Sequence, residues 1–141
     1  MSKLVRAALI IPTLAILAVS SATVAMADNG VNLSVEPNAT LTARLEVQMT
    51  MTASCPAGWY TMGSSVVVEQ AVGKSIAHAS GYLPYFQCTG TDQVLSVMVL
   101  ADPSGLPFKK GTAIVSASFF AYDYTTNTSG VGSVTTTLKL K

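Results

Sequence analysis

The chain has 141 residues, half of them apolar and 11% charged, with a formal net charge of +1. That is enough for one ordinary domain and too apolar and too weakly charged for a disordered chain. The few basic residues are scattered along the sequence, which argues against nucleic acid and anionic membrane surfaces as partners, since both need clustered cations.

The N-terminus reads as an export signal. Lys3 and Arg6 precede an apolar run, Ala7 to Val19, broken by Pro12 and Thr13. Ala25-Met26-Ala27 then supplies the small residues that signal peptidase accepts. The expectation is a signal peptide over 1–27, cleaved after Ala27, and a single domain over 28–141. The apolar run is shorter than the roughly 20 residues that span a bilayer. The product is expected to be secreted, either released or held at the cell surface by non-covalent contacts, with no membrane attachment once the signal is gone. Without Lys3 and Arg6, six basic residues face seven acidic ones, a charge near −1.

From Val31 to Glu36 the apolar and polar residues alternate, giving a short first strand that Pro37-Asn38 is expected to end. Alternation resumes over Leu41–Cys55, with apolar Leu41, Ala43, Leu45, Val47, Met49, Met51, Ala53 and Cys55 and polar residues between them. This is the pattern of a strand with one buried face. Fifteen extended residues would reach about 50 Å, more than a domain of this size can hold. Two strands, Leu41–Arg44 and Glu46–Cys55, joined by a bend that keeps one face inward, satisfy both constraints.

Pro56-Ala57-Gly58 makes a turn, and Trp59, Tyr60 and Met62 sit in an irregular segment. Ser65 to Val72 and Ser75 to Tyr82 form strands around Gly73-Lys74. Tyr85-Phe86-Gln87-Cys88 leads to a further turn and the strand Gln93 to Ala101. Asp102 to Gly111 is a loop. Thr112 to Tyr122 places Ala113, Val115, Ala117, Phe119 and Ala121 on one face. A Gly/Ser/Thr/Asn loop over 125–132 precedes the closing strand Ser133 to Lys141, whose outward lysines suit an exposed sheet edge. Seven or eight short strands with no helical period predict an all-β fold, an antiparallel immunoglobulin-like β-sandwich.

Cys55 and Cys88 are the only cysteines and allow one intramolecular disulfide, which an oxidising compartment favours. Closing a loop of about 34 residues is worth roughly 3.8 kcal/mol in the chain-entropy account.

Several runs carry a resemblance: Cys-Pro-Ala-Gly at 55–58, Val-Glu-Gln at 68–70, Cys-Thr-Gly-Thr at 88–91 and Phe-Lys-Lys-Gly-Thr-Ala at 108–113. Over about Thr40 to Tyr122 the chain resembles small secreted actinobacterial proteins with immunoglobulin-like folds and no assigned function. The resemblance implies a fold and a compartment. It implies no catalytic residue.

No constellation of catalytic residues is recognisable. His78 is the only histidine and has no Gly-x-Ser-x-Gly partner motif. The carboxylates show neither a glycosidase pairing nor calcium-loop spacing. A metal site would need more His and Cys ligands than the chain owns, and Met49 and Met51 have the parity of core residues. No cofactor and no enzymatic activity are therefore expected. The candidate binding residues are the aromatics near the cysteines: Trp59 and Tyr60 after Cys55, and Tyr82, Tyr85 and Phe86 before Cys88. They form either an exposed platform for a sugar, an apolar ligand or a protein, or a plug for one end of the core. Phe120 and Tyr122 share a face and make a second, weaker patch. The reading is a non-catalytic binding or structural protein with an extracellular ligand, protein or cell-wall partner. Alternatives are a small-ligand carrier, including a chromophore carrier with a deep apolar cleft, and an enzyme inhibitor whose loop would be Asp102 to Gly111.

Overall fold

A computed structural model of the chain describes residues 24–27 and 29–141. The expected signal peptide lies outside the described residues apart from its last four. Eight strands run in chain order: β1 (Val24–Ala27), β2 (Asn32–Thr42), β3 (Glu46–Ser54), β4 (Tyr60–Val72), β5 (Ser75–Gly81), β6 (Gln93–Ala101), β7 (Gly111–Asp123) and β8 (Thr128–Leu140). They form one sheet in the order β1-β8-β2-β3-β6-β5-β4-β7, and β7 pairs again with β8. The seven strands β2 to β8 therefore close into a barrel, with β1 added on β8.

Closure overturns the expected immunoglobulin-like sandwich. Alternation specifies one buried face per strand, and that face can be covered by a second sheet or by the same sheet curled round. Two narrow seams decide it. Ala79 and Ser80 of β5 pair with Ala101 and Leu100 of β6. Asn38 and Ala39 of β2 pair in parallel with Lys139 and Leu140 of β8. The second seam is extended by the Lys141 amide donating to the Ala39 carbonyl and the Leu41 amide donating to the Lys141 carbonyl, both at 3.0 Å. The terminal strand is thus not an exposed edge guarded by lysines; pairing on both sides covers it.

Local geometry corrects three further expectations. Pro37 does not end a strand. It lies in a bulge where three residues of β2, Glu36, Pro37 and Asn38, face the single residue Thr50 between Met51 and Met49, the place where a residue without an N–H is tolerated. The expected bend at Arg44–Glu46 is a hairpin. Thr42 pairs with Glu46, the Leu45 amide donates to the Thr42 carbonyl at 3.1 Å, and Ala43 and Arg44 both have positive φ, 49° and 63°. Leu45 and Ala43 are consequently exposed rather than inward. The 125–132 stretch is only partly a loop, because β8 begins at Thr128. Its glycines made it look like a turn, yet a Cβ on Gly132 would come within 2.7 Å of the Phe119 ring and 3.2 Å of the Asn32 backbone.

The interior is filled by the alternating residues of every strand: Leu33, Val47, Met49, Met51, Val66, Val68, Ala77, Ala79, Val97, Val99, Val115, Phe119, Val134 and Leu138 among them. Small residues on β7 and β5 offset the bulk of Met51 and Phe119, as a narrow barrel requires. One mouth is closed by the 102–111 loop. Its Phe108 is fully buried. Buried Gln70 holds the loop from β4: its side-chain amide donates to the carbonyls of Lys109 (2.8 Å) and Thr112 (3.3 Å) and its carbonyl accepts from the Lys109 amide (2.8 Å). Arg44 holds it from the other side, through Nε to the Phe108 carbonyl (3.1 Å) and its own carbonyl to the Phe108 amide (2.9 Å).

Candidate functional site

The opposite mouth carries the cysteines and most of the exposed rings. Cys55 follows β3 and is bonded to Cys88, with their Cα atoms 5.1 Å apart. Backbone bonds run alongside, from the Gly58 amide to the Cys88 carbonyl (3.2 Å) and from the Gly90 amide to the Cys55 carbonyl (3.0 Å). Such a disulfide belongs to an oxidising, extracellular-type environment.

Residues 82–88 cross this end beside the first half of β4. Leu83, Phe86 and Cys88 point inward, and Tyr82, Pro84, Tyr85 and Gln87 outward. The Leu83 amide donates to Ser64 Oγ at 3.0 Å, and the Thr61 hydroxyl donates to the Phe86 carbonyl at 3.2 Å. Two grooves separate this segment from β4. One, of about 210 Å³, lies between Thr61–Ser64 and Leu83–Phe86 and has Phe119 at its floor. The other, of about 70 Å³, is bounded by Gly58–Thr61 and Tyr85–Cys88. They share Thr61, Tyr85 and Phe86, so they form one broken channel with Tyr85 standing between them. Among the described residues no charged side chain lines either groove.

Beyond the channel, β4 and β7 present a wall of rings. Tyr60 is paired across the strands with Tyr122, and a bulge between Thr61 and Gly63 gives Met62 an outward place of its own. Tyr60 meets Tyr124 edge-on at 5.5 Å, Tyr124 meets Tyr122 at 4.8 Å, and Phe120 lies 6.4 Å from Tyr122 with the planes only 27° apart. The Tyr124 hydroxyl donates to the Met62 sulfur at 3.3 Å, and the Tyr122 hydroxyl donates to Asn127 Oδ1. The turn that holds these rings is built on Asp123. Its carboxylate accepts from the Thr126 hydroxyl (2.6 Å) and the Thr125 amide (2.8 Å). Those bonds, Thr126 first, hold its carboxyl below the ordinary carboxylate range.

The five aromatics singled out from sequence therefore separate. Tyr60 and Tyr85 stand exposed at the channel, Tyr85 with 82% of its surface in solvent. Trp59 is half-buried, packs on the core and lines the smaller groove. Phe86 is buried, 6% exposed, and meets Phe119 edge-on at 5.1 Å, so it is the floor. Tyr82 is exposed and lines neither groove. Tyr122, placed in a second patch from sequence, is joined to Tyr60. Tyr124 is the residue that sequence reasoning missed. The signal was present: Phe120, Tyr122 and Tyr124 lie at i, i+2 and i+4, one face of a strand running into its turn.

Two other places offer less chemistry. A cavity of about 390 Å³ opens at the seam where β2 and β8 diverge, lined by Val35, Pro37, Leu138, Lys139 and threonines. His78 Nδ1 lies 3.0 Å from Asp102 Oδ2 on the surface, and the Asp102 amide donates to the His78 carbonyl. Among the described residues no group of three or more His, Cys, Asp or Glu side chains converges as a metal would require. Comparison of the chain with family models, curated proteins and solved structures finds no match.

Proposed function

We propose that the protein is a secreted, non-catalytic binding protein whose ligand surface is the aromatic mouth of the barrel. The observation that carries this reading is the channel itself: exposed tyrosines around a groove without charged lining residues, on backbone fixed by a disulfide and by the hydrogen bonds of Ser64 and Thr61 to the Leu83 and Phe86 main chain. Rigid aromatic anchors with neutral hydroxyl and amide groups beside them suit recognition at low entropic cost. An uncharged ligand, such as a neutral glycan of a cell wall, matches a lining without ions. Export and the likeness to small secreted actinobacterial proteins belong to the same proposal. They rest on the 1–27 segment and the quoted runs, with the disulfide as physical support for the compartment.

An inhibitor has less to rest on, since 102–111 is folded back over Phe108 and not extended. A small-ligand carrier rests on the seam cavity, whose volume falls in the usual range of about 300–1,000 Å³ for ligand pockets.

The test replaces Tyr60, Tyr85 and Tyr124 together by serine and measures retention on isolated wall material and on neutral oligosaccharides, with Trp59 emission as a local reporter. Retention is expected to fall at least tenfold while the melting temperature holds. Undiminished retention of the triple variant would refute the assignment.

A further inference from the structure

The basic residues that are scattered in sequence are gathered in space. Arg44 sits on the β2–β3 hairpin and is hydrogen-bonded to Phe108, whose neighbours are Lys109 and Lys110. Gly111, next to Lys110, pairs with Leu140, and Lys139 and Lys141 flank Leu140. The Lys141 backbone bonds to Ala39 and Leu41, one turn from Arg44. Lys74 lies on the β4–β5 hairpin just past Gln70, which grips Lys109. All six Lys and Arg residues of the described chain are exposed, and all lie at the mouth closed by Phe108. Of the other charges, Asp102 is hydrogen-bonded to His78, Glu69 stands across the strands from His78, Glu46 is partly buried at the hairpin base, and exposed Glu36 lies along β2, two residues before the strand partner of Lys139. Asp92 and Asp123 belong to the opposite, aromatic mouth.

Two leucines project among these cations. Leu45, on the hairpin beside Arg44, is 53% exposed, and Leu106, on the loop before Phe108, is 39% exposed. Cations ringed around apolar loop tips match a bilayer interface, where tips enter the headgroup layer and cations meet anionic lipids. A soluble polyanion would use the cations and leave the leucines idle.

We infer that the Phe108-closed end is a docking surface for an anionic lipid membrane, with Arg44, Lys109, Lys110, Lys139 and Lys141 as the charge and Leu45 and Leu106 as the inserted tips. This replaces the expectation of no membrane partner, which rested on scattered lysines, and does not depend on the aromatic mouth. The geometry holds the aromatic mouth away from the bilayer, free for its own ligand.

The test is co-sedimentation of the exported protein with phosphatidylcholine vesicles, with and without about a third phosphatidylglycerol. Lys3 and Arg6 of an uncut chain would also favour anionic vesicles, so each variant is compared with the parent processed to the same N-terminus. Partition onto the anionic vesicles is expected to be at least tenfold stronger and to vanish in about 0.5 M salt. Lys109→Glu/Lys110→Glu should abolish the preference. Leu45→Ser/Leu106→Ser should weaken it several-fold while leaving binding to soluble polyphosphate unchanged. All variants alter exposed side chains, so melting temperatures should match the parent. Equal partition onto both vesicles, or indifference to the lysine pair, overturns the proposal. Indifference to the leucine pair, with full competition by polyphosphate, overturns it in favour of a soluble polyanion.

Discussion

Gln70 is the residue on which the closed mouth depends, and its loss can be worked through. It is buried, with a side chain that makes three hydrogen bonds to the 109–112 backbone. Gln70→Leu keeps the approximate volume and removes all three, leaving the Lys109 amide and two carbonyls without partners. A lost bond is worth about 0.5–1.5 kcal/mol net, and a stranded buried group costs about 1–3 kcal/mol. The loop can reduce that cost only by lifting, which exposes Phe108, whose own truncation to alanine should cost about 3–5 kcal/mol. Gln70→Leu is therefore expected to destabilise by about 2–4 kcal/mol. The double variant Gln70→Leu/Phe108→Ala should cost less than the sum, because one loop opening loses both, with a coupling of about 1–2 kcal/mol. Urea denaturation of the three variants followed by circular dichroism measures each term. A Gln70→Leu cost below about 1 kcal/mol, or strict additivity, would refute the idea that this side chain and Phe108 hold one unit.

Three smaller perturbations test other parts of the barrel. Gly132→Ala forces a Cβ against Phe119 and the Asn32 backbone, and should cost about 1–3 kcal/mol in chemical denaturation. Ala43→Asn, at φ 49°, should gain about 0.5–1 kcal/mol in the same assay, because asparagine tolerates the left-handed region that alanine disfavours. The Asp123 carboxyl is depressed in the folded state, so its contribution to the turn is fully present above the unfolded value of about 3.9 and is lost as pH falls through the lower folded value. The Thr125 amide signal in an NMR titration should stay constant down to about pH 4 and move only below it; a midpoint at or above the ordinary carboxylate value would refute the bonding described.

What could be read from the residues was whatever a single strand decides for itself. Val47, Met49, Met51, Ala53 and Cys55 alternate and are buried, and β6 runs from Gln93 to Ala101 as the apolar run predicts. The two cysteines left only one pairing. Closure was illegible because each seam is a pair of backbone registers, at Asn38–Ala39 and at Ala79–Ser80, with no side-chain signature. The hairpin at Ala43–Arg44 lacks the Asn-Gly sequence that announces such turns. Gly130 and Gly132 imitated a loop because the reason for their small size is a ring from another strand. The basic end was invisible for a related cause: strand pairing, the parallel β2–β8 seam and the bonds to the 108–109 backbone bring residues 44, 74, 109–110 and 139–141 together although they are far apart in sequence. At the candidate site, sequence proximity to the cysteines found Tyr60 and Tyr85. It could not tell them from Phe86, which the pleat turns inward.

β1 sets a timetable. Residues Val24 to Ala27 pair with Thr135 to Gly132, partners that are synthesised long after them. Until β8 has been made, Val24–Ala27 have no strand beside them, and a peptidase able to cut after Ala27 meets no ladder there. Once β8 arrives, Val24–Ala27 are held in a hydrogen-bonded ladder. Cutting before that moment and cutting after it give different molecules. The early cut removes β1 and leaves the Gly132–Thr135 backbone with unpaired donors and acceptors, ready to accept another extended segment. On a chain left uncut, the arrival of β8 fixes Val24–Ala27 to the barrel.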